Sequence, residues 1–180
     1  MVAHLLIRVR GTVNVNGRIQ DTLRMLHLPR PNFATVVPKD ESFDGMVHKV
    51  KDYVAYGEVD APTLTQLLTQ RGRVTGDKLV DDAFVKAATQ NKFATVADFA
   101  KAVADGKAKL SELGPDFKLY FRLHPPVGGY EPIKRHYTVG GALGYRGKEI
   151  NKLVKRMLEQ PDREGASKAR AAARAAAKEA

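Results

Sequence analysis

The chain has 180 residues with a net charge of +10, no cysteine and no tryptophan. This length suffices for one domain with a real core, and the lack of cysteine excludes disulfides and thiolate metal sites. Apolar runs stay far below the ~20 residues that span a bilayer, which predicts a soluble, cytoplasmic protein. Residues 115–180 carry +7 of the net charge, and this excess indicates a polyanionic partner for the C-terminal third.

The first 60 residues alternate between strand and helix patterns. Residues 3–10 alternate apolar and polar side chains, with Arg8 and Arg10 on the polar side, which predicts a half-buried strand suited to a sheet edge. The next predicted elements are a helix from residue 17, a strand over 32–38, a helix after residue 40 and a strand over 53–56. This order predicts a two-layer α/β sandwich with both helices on one face of a small sheet.

Residues 61–114 have helical spacing throughout and are predicted to form a helical insertion beside the core. A strand pattern follows over 117–124, with an apolar face inward and a basic, aromatic face outward. A closing helix is predicted after residue 147. The final segment, 159–180, is a basic, Ala/Arg-rich tail whose largest apolar side chain is alanine, so we expect it to stay outside any core.

The stretch between the strand pattern over 117–124 and the closing helix, residues 125–147, is rich in glycine and proline. This composition excludes a helix or an inner strand and predicts a long loop. Lysine, arginine, tyrosine and histidine stand between the glycines, and Glu131 is the only carboxylate. Cations supply contacts to phosphates, and planar rings stack on unpaired bases. The sequence therefore predicts an RNA-binding loop.

Two groups of residues are candidates for RNA contact. The first group, in and around the loop, is Arg122, His124, Lys134, Arg135, His136, Tyr137, Tyr145, Arg146 and Lys148. The second group, near the N-terminus, is Arg8, Arg10, Arg18 and Arg24. In both groups we expect the cations to position the protein on phosphates and the rings to stack or wedge at irregular RNA.

Motifs for other chemistry fail on spacing. Gly147-Lys148 lacks the remainder of a phosphate-binding P-loop, and the five histidines have no metal-ligand spacing. We therefore predict no catalytic residue, no metal site and no cofactor. Two alternatives remain open: an enzyme that binds a phosphorylated ligand with the glycine-rich loop, and a protein–protein adaptor that uses the tail.

Three segments in order along the chain resemble one known family. They are VRGTVNVNGRIQDTLRMLHL, FDGMVHKVKDYVAYGEV, and RLHPP followed by GG, a basic turn and GGALG. Together they resemble the long, archaeal-type form of large-subunit ribosomal protein family thirty, whose eukaryotic relatives are called protein seven of the large subunit. The resemblance covers residues 1 to about 158.

The resemblance implies an α+β fold with a ferredoxin-like, antiparallel three-stranded core over residues 1–60. It also implies a non-enzymatic, structural role in the cytoplasmic ribosome. The partners it implies are large-subunit rRNA, with 5S rRNA near by, and neighbouring ribosomal proteins, without a membrane or a small-molecule substrate. With the segments above, the predicted organisation is core 1–60, insertion 61–114, strand, loop and closing helix 115–158, and tail 159–180.

Overall fold

The structure is a computed structural model that describes residues 3–158. Its strands are β1 (His4–Arg8), β2 (Phe33–Val37), β3 (Val54–Glu58), β4 (Phe121–Arg122) and β5 (Gly144–Tyr145). They form one sheet in the order β4-β2-β1-β3-β5. The pairs among β4, β2, β1 and β3 are antiparallel, and β5 runs parallel to β3. This architecture confirms the predicted α+β fold with an antiparallel three-stranded core.

The helices match the periodicity of the sequence. They are α1 (Gly17–Met25), α2 (Glu41–Val50), α3 (Ala61–Arg71), α4 (Asp82–Ala88), α5 (Val96–Ala104) and α6 (Ile150–Leu158). Short 3₁₀ turns lie at Leu110–Leu113, Tyr137–Val139 and Gly147–Glu149. In the part of the chain that the structure describes, no helix has the length and apolar character needed to cross a bilayer.

Helices α1 and α2 cover one face of the sheet, as predicted. Leu6 of β1 packs there with Leu23 of α1 and with Val47 and Val50 of α2. Side chains alternate along a strand, so the neighbours of Leu6 in β1 point to the opposite face. The two-layer sandwich of strands β1–β3 with α1 and α2 is therefore present.

The opposite face of the sheet is covered as well, by helices of the insertion and by α6. Leu5 and Ile7 of β1 belong to one apolar cluster with Leu64 of α3, Phe99 of α5 and Val154 of α6. The prediction that the first strand is half buried and edge-capable is therefore wrong. All five residues of β1 are buried, because the strand lies at the centre of the sheet between two helical layers.

Strand β4 is shorter than the pattern over 117–124 predicts. Phe117, Phe121 and Leu123 are buried and Arg122 is exposed, as predicted, but only Phe121 and Arg122 pair with β2. Upstream, the Lys118 amide donates to the Arg73 carbonyl oxygen at 3.0 Å. The start of the predicted strand therefore bonds to the insertion, and further along the Leu119 carbonyl oxygen accepts a hydrogen bond from the Thr35 hydroxyl of β2 at 2.8 Å.

A close contact of two glycines fixes the chain after β5. A Cβ atom on Gly57 in β3 would fall on the carbonyl oxygen of Gly147, so the two backbones approach in a way that only glycine permits. This contact places the end of the loop against the sheet edge.

The predicted tail, 159–180, and the adaptor role that depends on it lie outside the described residues.

Candidate nucleic-acid interface

The loop of residues 125–147 runs from one edge of the sheet to the other. It begins after β4, which pairs with β2, and returns through β5, which pairs with β3. On the way, the Tyr130 hydroxyl donates to Asn32 Oδ1 at 2.7 Å, and His136 Nε2 lies 3.0 Å from Asp52 Oδ1. Asn32 and Asp52 lie just before β2 and β3. The loop therefore crosses the end of the sheet at which β1 ends.

Backbone hydrogen bonds close the tip of the loop. The amide of Tyr137 donates to the Leu143 carbonyl at 2.8 Å, and the amide of Leu143 donates to the Arg135 carbonyl at 3.2 Å. The Gly141 amide donates to the His136 carbonyl at 2.8 Å, and a Cβ at this glycine would collide with the backbone of Arg135. The tip is thus a compact turn with its own hydrogen bonds, as expected for an ordered surface loop.

Glu131 faces two arginines rather than solvent alone. Arg146 Nη2 donates to Glu131 Oε2 at 2.7 Å, and Arg156 Nη1 donates to Oε1 at 3.4 Å. Burial by itself raises the pKa of Glu131, but hydrogen bonds from Arg146, its own backbone and Arg156 outweigh that effect. They hold the pKa below its ordinary value of 4.5. The carboxylate is therefore ionised at neutral pH and neutralised by its neighbours.

The pKa of Glu131 predicts how the loop responds to acid. Because the pKa of Glu131 is depressed in the folded state, its ionised carboxylate stabilises the folded loop fully above about pH 4.5. This stabilisation is lost as the pH falls through the lower pKa of the folded state. We expect hydrogen-exchange protection of the Tyr137 and Leu143 amides to be unchanged between pH 6 and 5 and to fall only as the pH drops below the ordinary value of 4.5.

A control separates Glu131 from Asp52, whose carboxylate also contacts the loop through His136. In Glu131→Gln, protection should already be low at pH 6 and should change little on acidification. If this variant instead loses protection over the same acidic range as the wild type, another carboxyl group is responsible for the transition.

Arg10 contacts the segment that precedes β3, which also contacts the loop. Its guanidinium lies 4.9 Å from the centre of the Tyr53 ring, and its Nη1 donates to the Asp52 carbonyl oxygen at 3.2 Å. Because the Asp52 side chain contacts His136, candidates from both groups share one surface. Asp52 and Tyr53 were missed by sequence reasoning. They lie in the turn between α2 and β3. The strand pattern over 53–56 includes Tyr53, but it marks neither residue as part of a binding surface.

Three candidate cations at this end of the molecule are Lys134, Arg135 and Arg122. All three are exposed. Within residues 3–158, no hydrogen bond or ion pair joins the charged groups of Lys134 and Arg135 to the rest of the protein. The Arg122 guanidinium lies 5.7 Å from the centre of the Tyr120 ring, and its Nη2 donates to the Tyr120 hydroxyl at 3.5 Å. These cations are free to contact phosphates.

Apolar side chains stand exposed beside these cations. Ile133 and Val139 are 45% and 65% exposed, and Tyr137 is 36% exposed with the Arg146 guanidinium 4.8 Å from the centre of its ring. Apolar groups next to cations suit irregular nucleic acid, where a side chain wedges or stacks against an unpaired base.

Five other candidates lie at separate places on the surface. Lys148 is exposed, and Arg18 and Arg24 are exposed on α1. The ring of Tyr145 is half exposed, but its hydroxyl donates to the Glu58 carboxylate at 3.3 Å. His124 is half buried at the start of the loop. The structure does not gather these five residues into one cluster.

Two candidates are buried. Arg8 has no exposed surface and donates to the carbonyl oxygens of Leu28 at 2.7 Å and Pro29 at 2.8 Å. The side chain of Arg146 is 4% exposed and donates to Glu131. In place of the predicted RNA contacts, the structure gives both arginines internal roles, because a buried cation needs partners from the protein itself.

Arg156 of α6 is a further residue of the site and was not among the sequence candidates. Its Nε donates to the Val127 carbonyl at 3.0 Å and its Nη2 to the Gly129 carbonyl at 2.7 Å. No local pattern signals these contacts, because the acceptors lie more than 25 residues earlier in the chain. Among residues 3–158, no group of histidine, aspartate or glutamate is arranged to hold a metal ion.

Comparison with known proteins points to one family. Residues 4–54 match the family model described as ribosomal protein L30p/L7e. The chain is 50% identical over 151 residues to large ribosomal subunit protein uL30 of Archaeoglobus fulgidus, a match that covers 84% of this chain and 97% of that protein. The protein of the same name from Korarchaeum cryptofilum is 47% identical (85% and 93% covered), and that from Nanoarchaeum equitans 44% identical (88% and 100% covered).

Proposed function

The chain belongs to the ribosomal protein L30p/L7e family, and from that premise we propose that it is a structural constituent of the large ribosomal subunit. It binds rRNA through the loop of residues 125–147. Its place is the cytoplasmic ribosome, and it acts by position and charge rather than by catalysis. Membership of a ribosomal protein family argues against the alternative function, an enzyme that acts on phosphorylated ligands.

One observation supports the loop as the RNA contact: its carboxylate is paired with arginines of the protein, whereas two of its cations face solvent. The carboxylate of Glu131 is neutralised by Arg146 and Arg156, while the charged groups of Lys134 and Arg135 remain exposed. The unpaired charge of the loop is therefore cationic, although Glu131 keeps 36% of its side chain exposed. Such a surface attracts a polyanion and releases its counterions on binding.

The geometry suggests distinct roles within this surface. Lys134, Arg135 and Arg122 contact phosphates and set the orientation of the protein on the RNA. Tyr137 and its exposed apolar neighbours contact unpaired bases. Arg10, stacked on Tyr53, extends the surface beyond the loop. Large-subunit rRNA is the partner, with 5S rRNA near by, and neighbouring ribosomal proteins complete the environment.

Sedimentation of a cell extract tests this function. We expect the protein to travel with the large subunit at low salt and to be removed only in part by a high-salt wash, because packing adds to phosphate contacts. Protein that stays at the top of the gradient at low salt contradicts the ribosomal role. A protein without affinity for nucleic acid, added to the extract, controls for trapping.

A further inference from the structure

The clamp of Glu131, Arg146 and Arg156 connects parts of the loop that are distant in sequence. Besides Glu131, Arg146 reaches the Ala142 carbonyl from its Nε at 3.3 Å. Arg156, on α6, holds the Val127 carbonyl at the start of the loop. One carboxylate thus joins the beginning of the loop, its return segment and a helix of the core.

We propose that Glu131 is a positioning residue for RNA binding, which with Arg146 and Arg156 fixes the loop in its binding shape before RNA arrives. This inference rests on the proposed function and deepens it. Arg146 and Arg156 then act through the loop backbone, whereas Lys134 and Arg135 contact the RNA directly.

Conformational entropy is the physical reason that such a clamp matters. Fixing the backbone of one residue costs roughly 1–2 kcal/mol, and the loop contains 23 residues. If the loop became ordered only on binding, this entropy cost would weaken its affinity for RNA. Preorganisation moves the cost to folding, where the core and the internal hydrogen bonds offset it.

The charge of Glu131 makes the proposal testable, because Glu131→Gln has two effects on RNA affinity and they have opposite signs. Glu131→Gln removes a negative charge from a basic surface, so long-range electrostatics alone predicts tighter binding to RNA. The clamp predicts weaker binding, because the neutral amide holds the arginines less strongly and the binding-competent fraction of loops falls. The sign of the change decides between them.

The experiment uses the full chain and protein-free rRNA extracted from large subunits as the probe. For Glu131→Gln we expect affinity to fall about tenfold, which corresponds to a competent fraction of about 0.1. The matched control is Glu149→Gln, which neutralises a carboxylate paired with Lys152 on the exposed surface. It should leave affinity unchanged or slightly raised.

A second variant keeps the charge. Glu131→Asp shortens the carboxylate, so it no longer reaches both arginines, and we expect weaker binding although the net charge is unchanged. Hydrogen exchange on the free proteins supplies the independent readout. Amides of Tyr137 and Leu143 should be protected in the wild type and exposed in both variants, while those of Leu5 and Ile7 stay protected, which shows that the sheet is folded.

Two results overturn the clamp. One is Glu131→Gln binding rRNA as tightly as the wild type or more tightly. The other is a wild-type loop whose amides exchange at unprotected rates before RNA is added. Failure of the proposed function has a different signature, since removal of the exposed loop cations would then leave rRNA affinity unchanged whatever the exchange data show.

Discussion

Replacing Arg122, Lys134 and Arg135 together by glutamine is expected to weaken binding to large-subunit rRNA about 100-fold at roughly physiological salt. This expectation assigns about 1 kcal/mol to each interaction of a cation with a phosphate. The three side chains are exposed at the sheet end crossed by the loop, so the fold should tolerate their replacement. Filter binding or fluorescence anisotropy with the full chain measures the affinity.

The salt dependence gives this prediction a second readout. Each phosphate of irregular RNA that is no longer neutralised lowers the slope of log Kobs against log salt by about 0.7, so the slope of the triple variant should fall by about 2. A purely conformational effect on the loop would lower the affinity with little change in slope. The two measurements together therefore identify direct contacts.

The insertion provides a control with the same change in net charge. Lys86, Lys92 and Lys101 are exposed there, and their joint replacement by glutamine should lower affinity at most a few-fold with the slope nearly unchanged. Equally weakened binding in both triple variants would mean that the RNA responds to overall charge. The assignment of the loop as the binding site would then fail.

The elements of the N-terminal half were predictable from sequence because their signals are local. The strand pattern over 32–38 corresponds to β2, and the spacing of apolar residues from Gly17 corresponds to α1. Both signals arise from the repeat of the element itself, so they need no knowledge of distant partners. Boundaries at β3 are offset by one or two residues, since strand ends depend on the neighbouring strand.

The position of β1 was not predictable in this way. His4 and Arg8 on one side of the strand resemble a solvated face, and this suggested a half-buried edge. In the structure, α1 and α2 cover that face, and carbonyl oxygens of residues 28 and 29 satisfy the Arg8 guanidinium. Which backbone groups meet a buried arginine depends on the path of the chain, and periodicity carries no information about it.

The same limit applies to the loop. Its composition alone predicted a basic, glycine-rich loop, and no local signal separates Arg146 from Arg135. The difference comes from Glu131, whose position beside α6 turns one arginine inward and leaves the other exposed. Residue type identifies the candidates for phosphate contact, whereas tertiary structure decides which of them point outward.

Replacing Arg8 by methionine is expected to lower the free energy of unfolding by about 3 kcal/mol, because buried carbonyl oxygens lose their donors. Methionine keeps much of the apolar bulk, so a cavity is not the main cause. Arg8 donates to Leu28 and Pro29, and also to the carbonyls of Arg10 at 3.0 Å and Gly11 at 3.2 Å. The side chain thus ties the end of β1 to the turn that precedes β2.

Thermal and urea unfolding of the full chain measure this effect. For a chain of this size, the expected destabilisation corresponds to a fall in Tm of roughly 6–12 °C. The matched control is Arg24→Met on the exposed side of α1, where a surface pair with Asp21 at 4.0 Å should contribute under 1 kcal/mol. Below the unfolding transition, Arg8→Met should bind rRNA with an unchanged salt slope, since the Arg8 side chain is fully buried. A variant that stays as stable as the wild type while its salt slope falls would instead assign Arg8 to the RNA.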